Sequence, residues 1–423
     1  MTETTIIVGA GPAGGRCAEE LLDAGYQGRI ILIGDEPYEP YERRPLSKAL
    51  LAGAVEPARL MLRQAEAYRI EGVDLRLREF VSRIDRANRQ VLLRGGEKLD
   101  YDRLVLATGG RARRLGGKDQ HVHYLRTLDD SLKLRRNLED AEIVGIVGGG
   151  LVGLETAATI TRLGCAVTVV EGSPTLIPGV ASEELAGHIL DLHRRCGVEV
   201  LLNCRATDFL AKEDGAQLRL SDGQTLLLDV MIVALGVQPN IELAVSAGLA
   251  VEGGGVVTDE FGRTSDPNIF AIGDITMQWH PVFQTRLRVE NQASAYAQAR
   301  SVATTLAGQP SPCIEIPTFE TNQFGISIEI TGLVPPNARM IWRGHPAVGP
   351  AIGFVLHQGR LIGAASFNSG REMRALHYLI AEGIPLNRDA LANPHISLSA
   401  LTGGAVALND TPIDQPFDPL APF

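Results

Sequence analysis

Two short stretches of this sequence carry glycines at a spacing suited to holding phosphates. "GAGPAGG" sets Gly9, Gly11 and Gly14, with Ala13 before the last, after the apolar run "TTIIV"; "GGGLVG" sets Gly148, Gly150 and Gly153 after "EIVGIV". In such a turn the first glycine permits the tight bend and the second lets backbone approach a pyrophosphate. The third lets a helix pack close to a strand, so the phosphates meet the helix N-terminus. A carboxylate ending the next apolar run completes each set: Asp35 and Glu36 close "RIILIGDE", and Glu171 closes "AVTVVE". Carboxylates there accept ribose hydroxyls. Glu171 would repel a phosphate on that ribose, and "GSPTL" after it supplies no arginine, so the second site is expected to take NADH over NADPH.

Both sets require a strand, a glycine turn and a helix, the first ending near Gly25. "YDRLVLATGGRAR", holding Thr108 and Gly109, and "LDVMIVALGVQPN", holding Gly236, each run from an acidic residue through an apolar strand into a glycine turn. They read as equivalent crossing points in two nested, doubly wound α/β domains. "TSDPNIFAIGDI" gives a further buried strand ending in Gly273 and Asp274. After Pro312, apolar and polar residues alternate between glycines and prolines, predicting an antiparallel sheet, and "REMRALHYLIAEG" has helical periodicity. The expected division is 1–110 with 240–311, then 111–239, then a C-terminal α+β domain at 312–423. From about residue 393 the chain is rich in proline and small residues and is expected to wrap the surface or stay mobile.

Composition narrows the function. The 423 residues carry 40 basic and 50 acidic side chains, a net charge of −10, which argues against a nucleic-acid partner held by phosphate neutralisation. Cys17, Cys165, Cys196, Cys204 and Cys313 have no paired spacing, so neither a disulfide framework, a bound metal nor an iron–sulfur cluster is expected. Any cluster must belong to a partner. No apolar run approaches the ~20 residues that span a bilayer. "MTET" leads directly into a strand-like run, so neither a membrane anchor nor a signal peptide is expected, and the expected location is cytoplasmic.

Together, the first fingerprint, "ATG", the second fingerprint and the late "AIGD" resemble the two-dinucleotide flavoprotein reductases, which implies FAD in the first site and NAD in the second. Thiol-dependent members need a reactive cysteine near the flavin, but here that region reads "ERRPLSK", and Cys17 lies too early. The stretch is similar to "RPPLSK" of the oxygenase-coupled NADH:ferredoxin reductases. "YLRTLDD", "GGGLVGLETAAT", "LGVQPNIELA" and "GLAVEGGGVVTDEFGRTSDP" extend the likeness over roughly residues 4–385. The resemblance implies that Asp274 binds the ribityl or phosphate part of FAD, that Asp35, Val81 and Arg126 line its site, and that Arg43 contacts the flavin region. It implies that Gln292, beside Glu290 and Asn291, begins a helix at the ring system. Lys48 would lie near the reactive flavin nitrogen and face Glu155 of "GLE" as a catalytic pair that positions charge during hydride transfer.

The resemblance implies a FAD-dependent NADH:ferredoxin reductase passing electrons to a separate 2Fe–2S ferredoxin that serves an oxygenase. Rubredoxin or a small organic oxidant as acceptor, or a redox-sensing flavoprotein, are the competing readings. Monomer and homodimer are both compatible. Two departures stand out: Arg44 replaces the first proline of the family's motif, and "FETNQF" puts Glu320 where the family often has an aromatic. Phe319 or Phe324 would either compensate for that aromatic or pack in the core. Arg286, Arg288, Arg343, Arg371 and Arg374 would either face an acidic partner or be ordinary solvated charges.

Overall fold

The computed structural model describes residues 3–115, 121–212 and 215–402. Within it the run "TTIIV" becomes the central strand Thr4–Val8 of a parallel sheet. Its neighbours are Arg29–Ile33 and then Val73–Arg76 on one side, Arg103–Leu106 and then Ile269–Ala271 on the other. Both faces of this sheet are covered, which is why its strands read as unbroken apolar runs. Ile7, Ile30, Leu32, Val105 and Phe270 pack with Leu21 of helix Pro12–Asp23 and Val302 of helix Gln292–Leu306. Ile6, Val8, Ile31, Leu104 and Leu106 pack on the other side with Val81, Val91, Tyr101 and Leu249. These elements belong to one compact unit, residues 1–43, 58–111 and 238–317.

A second compact unit comprises 44–57, 112–237 and 318–423. Its parallel sheet repeats the first: Ile143–Val147 is central, flanked by Ala166–Val170 and Glu199–Leu201 on one side, Val230–Val233 and Val122–Tyr124 on the other. Arg103–Leu106 and Val230–Val233, the expected crossing strands, thus occupy equivalent places beside their central strands. Each unit also carries a three-stranded antiparallel sheet, Val81–Asp100 in the first and Ala206–Leu228 in the second. The fold class is therefore the expected α/β pair of doubly wound sheets with a C-terminal α+β part.

The alternating region after Pro312 forms an antiparallel sheet ordered Thr318–Gln323, Ile326–Gly332, Arg360–Phe367, Ala351–His357 and Ile341–Arg343. Helix Met373–Glu382 follows, as its periodicity predicts. Residues 393–402 lie along the surface, the first of the two expected alternatives: most are exposed, and the helical turn Leu398–Leu401 anchors them through its two buried leucines. One expectation needs correction here. Arg343 is no solvated charge, since its guanidinium donates to the carbonyls of Ala390, Leu391 and Ile396, pinning that segment. The rest of the tail, 403–423, lies outside the described residues.

Candidate functional site

The two glycine turns have the same internal geometry. Gly9 and Gly148 both have φ +114°, a backbone that residues with a Cβ rarely adopt. A Cβ on Gly9 would sit 2.2 Å from the carbonyl oxygen of Ala107, and one on Gly148 would sit 2.4 Å from that of Ala234. A Cβ on Gly14 would meet the Gly9 oxygen at 1.8 Å, and one on Gly153 the Gly148 oxygen at 2.2 Å. These four positions therefore must be glycine for the strand, turn and helix to close. Gly150 differs: a Cβ there would meet nothing within 4 Å. That open space lies at the N-cap of helix Leu151–Arg162, just as Gly11 caps helix Pro12–Asp23. Neither N-cap has a side chain to satisfy the first-turn amides, whereas Thr127, Ser182 and Asn291 cap their helices with side-chain oxygens. Amides left for an external acceptor, in a cradle that a side chain would fill, fit a pyrophosphate in each unit.

In the first unit several of the expected residues stand just past strand ends. Ala13 approaches Gly273, where an added Cβ would lie 3.2 Å from the Ala13 methyl. Gly273 is held by its amide hydrogen bond to Gln298, 2.6 Å. Thr108 donates to the Asn240 carbonyl at 2.7 Å, and Gly109 follows with φ +59°. Asp35 lies two residues past strand Arg29–Ile33 and is exposed, while Glu36 accepts from Arg43 and from the Tyr41 hydroxyl, both at 2.6 Å. The Arg43 guanidinium lies over the Tyr41 ring and beside Gly11. Burial opposes its charge, but Tyr41, Glu36 and Asp274 outweigh this and hold Arg43 above its ordinary value, so Asp274 shares that corner. Val81 is buried at a strand start. Gln292 opens its helix, as expected, with its amide on Glu42, which also accepts from Tyr296. Asn291 is spent on capping that helix and Glu290 on Arg288.

In the second unit Glu171 is 9% exposed and accepts from the amides of Gly149 and Ser173, 2.7 Å each. Gly236 has φ +85° at the end of the crossing strand. Arg126, expected from the resemblance at FAD, belongs to this unit, where its amide donates to Asp130 ahead of helix Leu128–Asn137. Lys48 also belongs here. The stretch Arg44–Ser47 is a tight helical turn fastened by Ser131 donating to the Leu46 carbonyl and Thr159 donating to the Ser47 carbonyl. This puts Lys48 Nζ 2.7 Å from Glu155 Oε1. Ser47 Oγ donates to Glu155 Oε2 at 2.5 Å, and Thr321 Oγ1 donates to Oε1 at 2.7 Å. A carboxylate only 7% exposed thus has hydrogen-bond donors on both oxygens, as a buried charge requires.

The sequence pattern of the pyridine nucleotide-disulphide oxidoreductases matches residues 3–299, and that of the reductase C-terminal domain matches 319–402. The chain belongs to the pyridine nucleotide-disulphide oxidoreductase family. It is 33% identical to putidaredoxin reductase of Pseudomonas putida, over 96% of this chain and 98% of that one. It is 36% identical to the ferredoxin–NAD(+) reductase component of the anthranilate 1,2-dioxygenase system of Burkholderia cepacia, over 93% and 98%. Among solved structures, the reductase in a covalent putidaredoxin reductase–putidaredoxin complex superposes with a TM-score of 0.92 at 33% identity, covering 95% of this chain and 99% of that one.

Against that family background, the two departures in sequence turn out to be one feature. Arg44 Nη1 donates to Glu320 Oε2 at 2.8 Å, so the arginine in place of proline meets the carboxylate in place of the aromatic. Phe319 and Phe324 pack against the core of their unit, Phe324 edge-on to His193. Burial pushes the Cys17 thiol up to about 12, far from the thiolate that disulphide chemistry in this family needs. Sequence reasoning missed Ser47, Thr321 and Arg205. The side chain of Arg205 lies over Gly172, its Cγ 3.1 Å from where a Cβ would be, next to Glu171. Only the i, i+2 alternation of Thr321 and Gln323 in "TFETNQ" signalled an inward-facing polar pair.

Proposed function

We propose that this chain is a FAD-dependent NADH:ferredoxin reductase, taking electrons from NADH and passing them to a separate 2Fe–2S ferredoxin that serves an oxygenase. The observation that carries the reading is the pair of glycine-turn sites with one geometry, each at the carboxyl end of its own parallel sheet. Segments 1–110 and 240–311 would hold FAD, 111–239 NADH, with 312–423 as the C-terminal domain. When bound, FAD supplies acceptance of two electrons and their release one at a time. The amides after Gly11 and Gly150 bind pyrophosphate, and Arg43 and Asp274 orient the first dinucleotide. Glu171 accepts the adenine-ribose hydroxyls of the second. Lys48, anchored on Glu155, presents a fixed cation that holds the nicotinamide for transfer and compensates charge. No helix among the described residues is long and apolar enough to cross a membrane, and we place the protein in the cytoplasm.

Stopped-flow reduction of the holoenzyme by NADH, followed by cytochrome c reduction with and without a 2Fe–2S ferredoxin, tests the assignment. Rapid flavin reduction with no carrier-stimulated turnover would count against the ferredoxin. Lys48→Met is expected to slow flavin reduction about tenfold to a hundredfold, the size of one lost electrostatic contact to the reacting groups. An unchanged rate would remove Lys48 from the mechanism.

A further inference from the structure

Behind Glu155 the hydrogen bonding does not stop at Thr321. Thr321 Oγ1 is 3.2 Å from Gln323 Nε2, and Gln323 Oε1 is 2.7 Å from His193 Nε2. His193 and Gln323 are fully buried and Thr321 is 4% exposed. The four residues come from three separate elements of one unit: Glu155 from helix Leu151–Arg162, Thr321 and Gln323 from one face of strand Thr318–Gln323, and His193 from helix Glu183–Arg195.

The direction of every bond in this chain is fixed by chemistry. An ionised carboxylate only accepts, so the single Thr321 proton goes to Glu155. Thr321 must then accept from the Gln323 amide nitrogen, which turns the Gln323 carbonyl toward His193. That carbonyl in turn needs a donor, so His193 carries its proton on Nε2, leaving Nδ1 buried and without a partner. Burial holds the His193 imidazole below its ordinary value, in keeping with a neutral ring. Three donors aligned head to tail reinforce one another and end on the carboxylate. A flip of the Gln323 amide would set two acceptors face to face at Thr321, whose one proton is already given to Glu155.

We propose that Thr321, Gln323 and His193 are positioning residues for Glu155, locking its carboxylate in the rotamer that presents Oε1 to Lys48. On this view the C-terminal sheet, through one strand, sets the ion pair of the nucleotide-binding helix. Thr321 and Gln323 act through Glu155. The inference rests on the reading of Lys48 and Glu155 as the pair that serves hydride transfer.

The test uses the holoenzyme and Thr321→Val, which keeps the shape and removes the donor, with Thr321→Ser to restore it. Thr321→Val is expected to lower the limiting rate of flavin reduction about tenfold while the NADH dissociation constant stays within about twofold, and Thr321→Ser to recover most of the rate. In a Lys48→Met background, Thr321→Val should add nothing, because both act on one pair. A readout independent of turnover is the imidazole Nε2–H resonance of His193 in histidine-labelled protein, expected to shift in Thr321→Val and in Glu155→Gln. Should Thr321→Val fail to fold, Gln323→Met is expected to move the same resonance and slow the same step about threefold. A Thr321→Val rate within about twofold of the parent, or a loss that persists in full beside Lys48→Met, overturns the proposal while the role of Lys48 stands. If Lys48→Met itself leaves the rate unchanged, the reading of the pair fails and the positioning role falls with it.

Discussion

Glu171 shows how neighbours give a carboxylate its task. Two backbone amides fix it at the end of its strand, and Arg205 lies over the adjoining glycine. As long as the carboxylate is there, its charge opposes a phosphate on the adenine ribose; once it is neutral, that repulsion is gone and the Arg205 cation beside Gly172 stands next to the same strand end. Glu171→Gln should therefore raise the ratio of kcat/KM for NADPH to that for NADH about tenfold to a hundredfold. Steady-state kinetics with both nucleotides decide it, and an unchanged ratio would mean discrimination lies elsewhere. The "GSPTL" segment suggested that no arginine was at hand; Arg205 is supplied by a later segment, which no local motif could reveal. Likewise Arg44 and Glu320, separately odd in sequence, form a single ion pair in space. Each is more than half exposed, so the pair adds about 0.2–1 kcal/mol at most and its meaning is local shape and charge.

At the scale of the element, the glycine turns separate two demands that one motif makes. Gly153 is needed for the fold, because a Cβ there would press on the Gly148 carbonyl, whereas a Cβ on Gly150 would meet nothing within 4 Å. Gly153→Ala should lower the unfolding midpoint by several degrees, in keeping with a loss of about 1–3 kcal/mol from forced overpacking. Gly150→Ala should leave the midpoint within about 1 °C and raise the KM for NADH about tenfold or more. Calorimetry and NADH kinetics on the two variants make the comparison, and equal effects on stability would refute it. This element was legible in sequence because its geometry is local: a buried strand, three glycines and a helix follow one another. The chain from His193 to Glu155 was not, since it joins side chains of one strand to side chains of two helices more than a hundred residues earlier. Arg343 misled for a similar reason: nothing in its own sequence shows that carbonyls of residues 390–396 will surround its guanidinium.

For the whole molecule, buried histidines tie stability to pH in both units. His193 in one and His280 in the other are held below the ordinary imidazole value of 6.5 by burial, partly offset by hydrogen bonds to Gln323 and to the Glu315 carbonyl. His188, lowered by burial and by the neighbouring His345, adds to the second unit. With folded values below the unfolded ones, their stabilisation is complete above pH 6.5 and is lost as pH falls through that value, because the unfolded chain binds protons the native state refuses. Each fully buried group contributes a slope of at most about 1.4 kcal/mol per pH unit in that window. The unfolding midpoint should be flat from about pH 8 to 7 and drop several degrees by about pH 5.5, above the range where most carboxylates titrate. Replacing His280 by glutamine, which keeps a donor for the Glu315 carbonyl without a titrating ring, should flatten part of that drop. A midpoint unchanged between about pH 7.5 and 5.5 would show that the native state accepts these protons as readily as the unfolded chain does.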